Sequence, residues 1–161
     1  MKKIIVTLLL SITCIDAGAC SFARGFEDFI PKPSRNPDDR APSTPVAKVV
    51  EIKRGFNDGN GGSCSDAGII SIQFDEVNPV EKTGYKFRIS KGSFNSRVIP
   101  TGPVMPTHFG EGNSMFFVWL DGSNNYQEPI NFTLEIVAVF DNDRESKPYY
   151  LEVVHAGGKS N

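Results

Sequence analysis

The 161-residue sequence predicts an all-β domain, an antiparallel sandwich of about seven strands, on three observations. Short runs rich in β-branched and aromatic residues alternate with clusters of Gly, Pro, Asn and Asp. Several of these runs alternate apolar and polar residues, as a strand with one buried face requires. The sequence also contains no convincing amphipathic helix. Strand count alone leaves a small closed barrel as the alternative.

The formal net charge is −2 and the charged fraction is 22%, which is ordinary for a folded domain. These values predict neither wholesale disorder nor a general attraction to nucleic acid or to an anionic membrane. The length allows one domain with a tail, but not two sizeable domains.

Residues 1–19 have the features of a bacterial export signal. Lys2 and Lys3 precede an apolar run over 4–15, which is too short to span a bilayer, and Ala17 and Ala19 supply the small residues of a cleavage site. No later run has transmembrane length. We therefore expect an exported mature chain, periplasmic or secreted, that begins at Cys20.

Cleavage leaves two cysteines, Cys20 and Cys64, and two interpretations. A disulfide between them would tie the mature N-terminus to the domain. Alternatively, Ala-Gly-Ala-Cys at 17–20 is a lipoprotein processing site, and Cys20 carries an acyl anchor that contacts the membrane. Lipidation would leave an odd cysteine in an exported chain, so the cysteine count favours the disulfide.

Residues 20–45 are predicted to form a Pro-rich lead-in, because five prolines within 31–45 each remove a backbone donor. We expect the phenylalanines that precede these prolines, Phe22, Phe26 and Phe29, to pack onto the domain together with Ile30. The sandwich itself is predicted over 46–156, and residues 157–161 are predicted to be a frayed tail.

Within the sandwich, a first strand is predicted at 46–53, and alternating apolar residues predict strands at 70–74, 85–89, 132–140 and 149–153. The continuous apolar run at 115–120, which contains the only tryptophan, Trp119, predicts a strand buried on both faces. Residues 98–99 suit a short edge strand, since the prolines at 100, 103 and 106 disfavour a central one.

The strand at 132–139, Phe-Thr-Leu-Glu-Ile-Val-Ala-Val, is followed by a polar loop at 141–148 and a last strand. Together with Gly-Tyr-Lys-Phe-Arg-Ile at 84–89, it resembles a fibronectin type III or related immunoglobulin-like domain over 45–155. Phe74 stands where the family has tryptophan, and Leu134 where it usually has tyrosine. The resemblance implies a sandwich that acts as a spacer or binding module, and it brings no catalytic residues.

Motifs of catalysis are absent from the sequence. The two histidines, His108 and His155, lie far apart, and no zinc-protease, C-x-x-C, G-x-S-x-G or phosphate-loop pattern occurs. The acidic loops at 58–61 and 141–145 carry turn residues but no full set of calcium ligands. We therefore expect no enzyme activity, no cofactor and no metal.

Four loop residues, Phe94, His108, Phe109 and Tyr126, are the candidates for partner binding, because exposed loop aromatics often mark recognition surfaces. Phenylalanines in such loops also fold back to cover a small core, which is the role we expect here.

The leading interpretation is a non-enzymatic binding or spacer module of the bacterial cell envelope, with another envelope protein as partner and an unknown oligomeric state. One alternative is an inhibitor or immunity-like protein that inserts the loop 93–113 into an envelope hydrolase. A third is a carbohydrate-binding or carbohydrate-active protein that uses Trp119 or Tyr126 with Asp121.

Overall fold

The structure, a computed structural model, describes residues 24–32, 40–60, 63–75, 78–95, 97–107, 113–122 and 126–159. Ten strands lie in these ranges: β1 Phe26–Asp28, β2 Ala47–Lys53, β3 Ala67–Phe74, β4 Thr83–Gly92, β5 Val104–Pro106, β6 Ser114–Leu120, β7 Tyr126–Gln127, β8 Ile130–Phe140, β9 Tyr149–His155 and β10 Gly158–Lys159. In the same ranges the helical elements are two short 3-10 turns, Cys64–Asp66 and Val80–Lys82. No helix among the described residues is long and apolar enough to cross a membrane.

Two antiparallel sheets face each other, which confirms the predicted β-sandwich. One sheet has five strands in the order β1-β5-β4-β8-β9, and the other has three in the order β2-β3-β6. A separate ribbon pairs β7 with β10. One side of the sandwich is joined where the Tyr149 hydroxyl of β9 donates to the Ala47 carbonyl of β2 at 3.0 Å.

The inner faces of both sheets are apolar at alternate positions, as predicted for β3, β4, β8 and β9. The buried core consists of Ala47, Ile70, Ile72, Phe74, Tyr85, Phe87, Val98, Ile99, Val104, Met115, Phe117, Trp119, Ile130, Phe132, Leu134, Ile136, Ala138, Leu151 and Val153. Phe74 stacks on Tyr85 across the sandwich with ring centroids 4.1 Å apart. Each fully buried side chain of this kind contributes about 1.5–3 kcal/mol to folding.

The end of β8 departs from the predicted alternation. Val139 is buried together with Ala138, whereas Phe140 is only half-buried. The chain turns at this point, because the Phe140 N–H donates to the Arg144 carbonyl at 3.0 Å. The prediction that Phe140 shares the buried face is therefore wrong.

The strand β6 lies at the edge of its sheet and has β3 as its neighbour on one side. Met115, Phe117 and Trp119 face the core, whereas the opposite face is only partly covered and Leu120 is 62% exposed. The prediction of a strand buried on both faces is wrong. The reason is that the outward positions are apolar as well, so the sequence shows an unbroken run where the fold has one buried face.

The predicted edge strand at 98–99 is a turn, in which the Val98 N–H donates to the Asn95 carbonyl at 3.1 Å. Val98 and Ile99 are buried nevertheless. The chain pairs five residues later, as β5 between β1 and β4. Prolines are tolerated there because β5 has only three residues, and because a proline carbonyl still accepts, as Pro103 does from the Phe29 N–H at 2.9 Å.

Two segments that the sequence places outside the sandwich are paired in the structure. The strand β1, inside the predicted lead-in, pairs antiparallel with β5; Phe26 packs against the core and Phe29 is buried, while Ile30 is exposed. The prolines begin only after this strand and do not disturb it. In the predicted frayed tail, β10 pairs with β7 through the backbone, which composition does not reveal.

Candidate functional site

A groove of about 880 Å³ opens at one end of the sandwich, where several loops meet the ribbon of β7 and β10. Its lining residues come from the end of β2, the loop after β4, the end of β6 and the segment from β7 to β8. They are Arg54, Ser93, Phe94, Asn95, Trp119, Asp121, Tyr126, Gln127, Glu128, Pro129 and Ile130.

The floor of the groove is an ion pair between Arg54 and Asp121, whose side chains are 9% and 6% exposed. Arg54 Nε and Nη2 donate to Asp121 Oδ2 and Oδ1 at 2.7 and 2.9 Å. The Gly55 N–H and the Trp119 indole N–H add bonds to the same carboxylate at 2.9 and 3.1 Å. Four donors therefore hold one buried carboxylate, and a bidentate pair of this kind is strong and fixed in direction.

Burial alone raises the pKa of the Asp121 carboxyl. The hydrogen bonds from Arg54, Gly55 and Trp119, with the nearby guanidinium charge, outweigh this effect and hold the pKa below its usual value. A lowered folded-state pKa means that the stabilisation is complete above the unfolded value, about 3.9, and is lost as the pH falls through the folded value.

We therefore expect acid to narrow the stability difference between the wild-type protein and Asp121→Asn. Urea unfolding from pH 7 down to pH 3 measures it. The difference should be constant above about pH 5 and should shrink below about pH 4, because the wild type alone loses a charged pair there. A difference that stays constant down to pH 3 would contradict this assignment.

Arg54 also fixes the ribbon that forms one wall of the groove. Its Nη1 donates to the Glu128 carbonyl at 2.9 Å, and Gln127 Nε2 donates to the Gly55 carbonyl. His155, the last residue of β9, accepts the Gly157 N–H at Nδ1 at 3.0 Å and lies 3.5 Å from Arg54 Nη1. The ribbon is thereby attached to the sandwich at its base, and Tyr126 on β7 remains exposed.

Tyr126, on β7, is 65% exposed at the rim of this groove. Phe94 lies across the groove but folds inward. Its ring stacks on Phe132 at 5.0 Å and meets the edge of Trp119 at 5.2 Å. Phe94 therefore covers the core, as we expected for loop phenylalanines, whereas Tyr126 is available to a partner.

The structure describes only some of the other predicted site residues. His108 and Phe109 lie outside the described residues, as does Cys20. Cys64 opens the 3-10 turn before β3, and its pairing with Cys20 stays a prediction. Trp119 is a core residue, and the Asp121 carboxylate already accepts hydrogen bonds from four donors. The structure thus brings Phe94 and Tyr126 together.

Arg54 is the residue of this groove that the sequence did not single out. It lies 67 positions from Asp121 and 74 from Glu128, so no local pattern connects them. Two features of the sequence point to this ion pair. Arg54 is a charged residue at the end of a β-rich run, and Asp121 is a carboxylate directly after the apolar run that ends at Leu120.

The acidic loops act as turns. Asp58 accepts the Asn60 N–H at 2.8 Å and the Ser63 hydroxyl at 2.9 Å, and the Asn60 bond, with Ser65 and Ser63, lowers its pKa. The Asn142 amide oxygen accepts the Arg144 N–H at 2.9 Å. Among the described residues, no group of three or more His, Cys, Asp or Glu side chains could hold a metal ion.

The fold and the groove define a small β-sandwich with an aromatic residue at the rim of its loop end. No protein-family model, curated protein or solved structure matches the chain.

Proposed function

We propose that this chain is an exported, non-enzymatic β-sandwich protein that acts as a binding or spacer module in the bacterial cell envelope. The observation that carries the proposal is Tyr126, an exposed aromatic side chain at the rim of a groove whose floor and wall are fixed by Arg54. A rigid aromatic residue beside a preformed groove is a typical anchor for a protein partner.

The arrangement of the seven main strands supports the resemblance to immunoglobulin-like domains. The first, second and fifth of them, β2, β3 and β6, form one sheet, and the third, sixth and seventh, β4, β8 and β9, share the other. Many domains of this architecture serve as spacers or binding modules, and this analogy supports a binding role without identifying the ligand.

Partner binding at the groove is favoured over the inhibitor function because side chains of the loop 93–113 pack into the core. In its described part, Val98 and Ile99 are buried in the core, and Phe94 packs on Trp119. Withdrawing these side chains to insert the loop into an enzyme would expose core surface. Of the three residues suggested for carbohydrate binding, Trp119, Tyr126 and Asp121, only Tyr126 is exposed.

We expect Tyr126→Ala to remove partner binding without changing stability. Wild-type protein, Tyr126→Ala and Tyr150→Ala would each be immobilised and incubated with envelope extract of the native host. Tyr150 is the matched control, since it is 55% exposed on β9, away from the groove. An aromatic anchor is worth more than about 1.4 kcal/mol, so retention of a stoichiometric partner should fall about tenfold or more for Tyr126→Ala alone.

Equal retention by all three proteins, or retention by none, would contradict binding at the groove. A turnover activity that a single substitution abolishes would contradict the non-enzymatic assignment. Thermal unfolding of each variant is the control for folding, because both tyrosines are exposed.

A further inference from the structure

Two exposed arginines, Arg24 and Arg97, line one small cleft on the side of the sandwich. Neither forms an ion pair with another described residue, whereas Arg54 and Arg88 are each paired with a carboxylate, at 2.7 and 2.6 Å. A guanidinium stays charged at every pH that a folded protein meets. The cleft therefore holds two positive charges that no described carboxylate neutralises by direct contact.

The cleft has a volume of about 290 Å³ and lies between the chain that enters β1 and the turn at 97–102. Its apolar lining consists of Phe26 of β1, Val98 and Ile99 of the turn, and Val118 of β6. Val98 and Ile99 are buried, and Phe26 packs against the core. The charged groups therefore lie beside an apolar surface that belongs to the folded sandwich.

Hydrogen bonds hold both walls of the cleft in place. On the turn, the Asn95 side chain accepts the Arg97 N–H, and the Asn95 carbonyl accepts the Val98 N–H, both at 3.1 Å. On the other wall, β1 pairs with β5, and the Phe29 N–H donates to the Pro103 carbonyl at 2.9 Å. The backbone of the cleft is therefore preformed, which reduces the cost of ordering it around a ligand.

The chemistry of the cleft suits an anion with more oxygens than a carboxylate. A guanidinium donates through parallel N–H groups, and one such fork already matches both oxygens of a carboxylate. Two forks together match the oxygens of a phosphate group. Asp28 also lines the cleft, so two positive charges and one negative charge leave a net charge of +1. The cleft therefore favours an anionic ligand.

We propose that the cleft binds a phosphate group, carried by a small molecule or by a lipid headgroup, between Arg24 and Arg97. The carbon part of the ligand then contacts the apolar lining of the cleft. This site is separate from the groove at Tyr126, because the cleft and the groove share none of the described residues that line them.

Titration of the protein with inorganic phosphate, followed by the backbone amide NMR shifts of the turn at 97–102, tests the proposal. The shifts should saturate with phosphate, and sodium acetate at the same ionic strength should bind at least about tenfold more weakly. Arg24→Gln and Arg97→Gln should each raise the dissociation constant for phosphate about tenfold, which corresponds to about 1.4 kcal/mol for the lost charged hydrogen bonds.

Two further variants separate the cleft from the general charge of the protein. Arg88→Gln is the matched control, since it removes an exposed guanidinium on β4 that does not line the cleft, and it should leave phosphate binding unchanged. Asp28→Asn should tighten binding, because it removes the carboxylate that repels the phosphate. Thermal unfolding of each variant is the control for folding, and it should be unchanged for Arg24→Gln and Arg97→Gln, whose side chains are exposed.

Shifts that do not saturate, or an equal loss of affinity in Arg88→Gln and Arg24→Gln, would overturn the proposal, since binding would then reflect net charge alone. Acetate binding as tight as phosphate binding would overturn the assignment to phosphate.

Cosedimentation with phosphatidylglycerol vesicles distinguishes the two sources of the phosphate, with phosphatidylcholine vesicles as the neutral control. Cosedimentation that is specific for phosphatidylglycerol and is lost in Arg24→Gln would support a lipid headgroup. Saturable phosphate binding without cosedimentation would support a small soluble molecule. None of these results affects the comparison of Tyr126→Ala with Tyr150→Ala, so failure of the phosphate site and failure of the groove are distinguishable.

Discussion

Asp121→Ala is expected to lower the free energy of unfolding by about 3–5 kcal/mol, because it leaves the Arg54 guanidinium buried without its counter-charge. The same change removes the acceptor of the Gly55 N–H and the Trp119 indole N–H. Urea unfolding, followed by the fluorescence of the single tryptophan, measures the loss at the site itself.

The matched control is Glu145→Ala, which removes an ion pair with Lys86 whose side chains are about half exposed. Exposed pairs of this kind contribute at most about 1 kcal/mol. In addition, Arg54→Met combined with Asp121→Ala should cost less than the two single changes together, since the buried charge is removed with its partner. Equal, small losses for Asp121→Ala and Glu145→Ala would show that the pair does not hold the groove.

Gly68→Ala is expected to destabilise the sandwich by about 1–3 kcal/mol through overpacking. Gly68 is paired with Trp119 across β3 and β6, and the indole ring covers its Cα so closely that a Cβ would lie 2.2 Å from ring atoms. The indole must therefore move, and its hydrogen bond to Asp121 moves with it.

Gly102→Ala is the control for this second change, because its added methyl group would contact nothing within 4 Å and its backbone is unstrained. Its stability should stay within about 0.5 kcal/mol of the wild type. If Gly68→Ala were as stable as Gly102→Ala, with unchanged tryptophan fluorescence, the close packing of Trp119 on β3 would be refuted.

These predictions depend on one structural relationship, the position of the groove at the end of the core. The Trp119 ring packs in the core, and its indole N–H donates a hydrogen bond to Asp121 of the ion pair. Arg54 connects that pair to the carbonyl of Glu128, close to Tyr126 on the ribbon. A change at Asp121 should therefore weaken both folding and partner binding, whereas Tyr126→Ala should weaken binding alone.

The sequence predicted the strands in which one face is apolar and the other polar. In β3, Ile70, Ile72 and Phe74 alternate with Ser71 and Gln73, and this pattern indicates a strand with one buried face. In β6, Phe116 and Val118 are apolar on the outer face, so the pattern did not distinguish an edge strand from a central one.

The site was less accessible to sequence reasoning because it is built from long-range contacts. Tyr126 could be singled out as a loop aromatic, but its place on a two-stranded ribbon depends on pairing with β10, more than thirty residues later. The Arg54–Asp121 pair forms only because β2 and β6 end at the same end of the sandwich. Such proximity follows from topology, which no local spacing encodes.

The most direct test of the proposed export, and of the disulfide predicted between Cys20 and Cys64, is the intact mass of the protein from its native host, with and without reduction. The account predicts a chain that begins at Cys20 and is about 2 Da lighter before reduction, the mass of the two hydrogens lost on forming one disulfide. A mass that begins at Met1, or that includes an acyl anchor on Cys20, would contradict it.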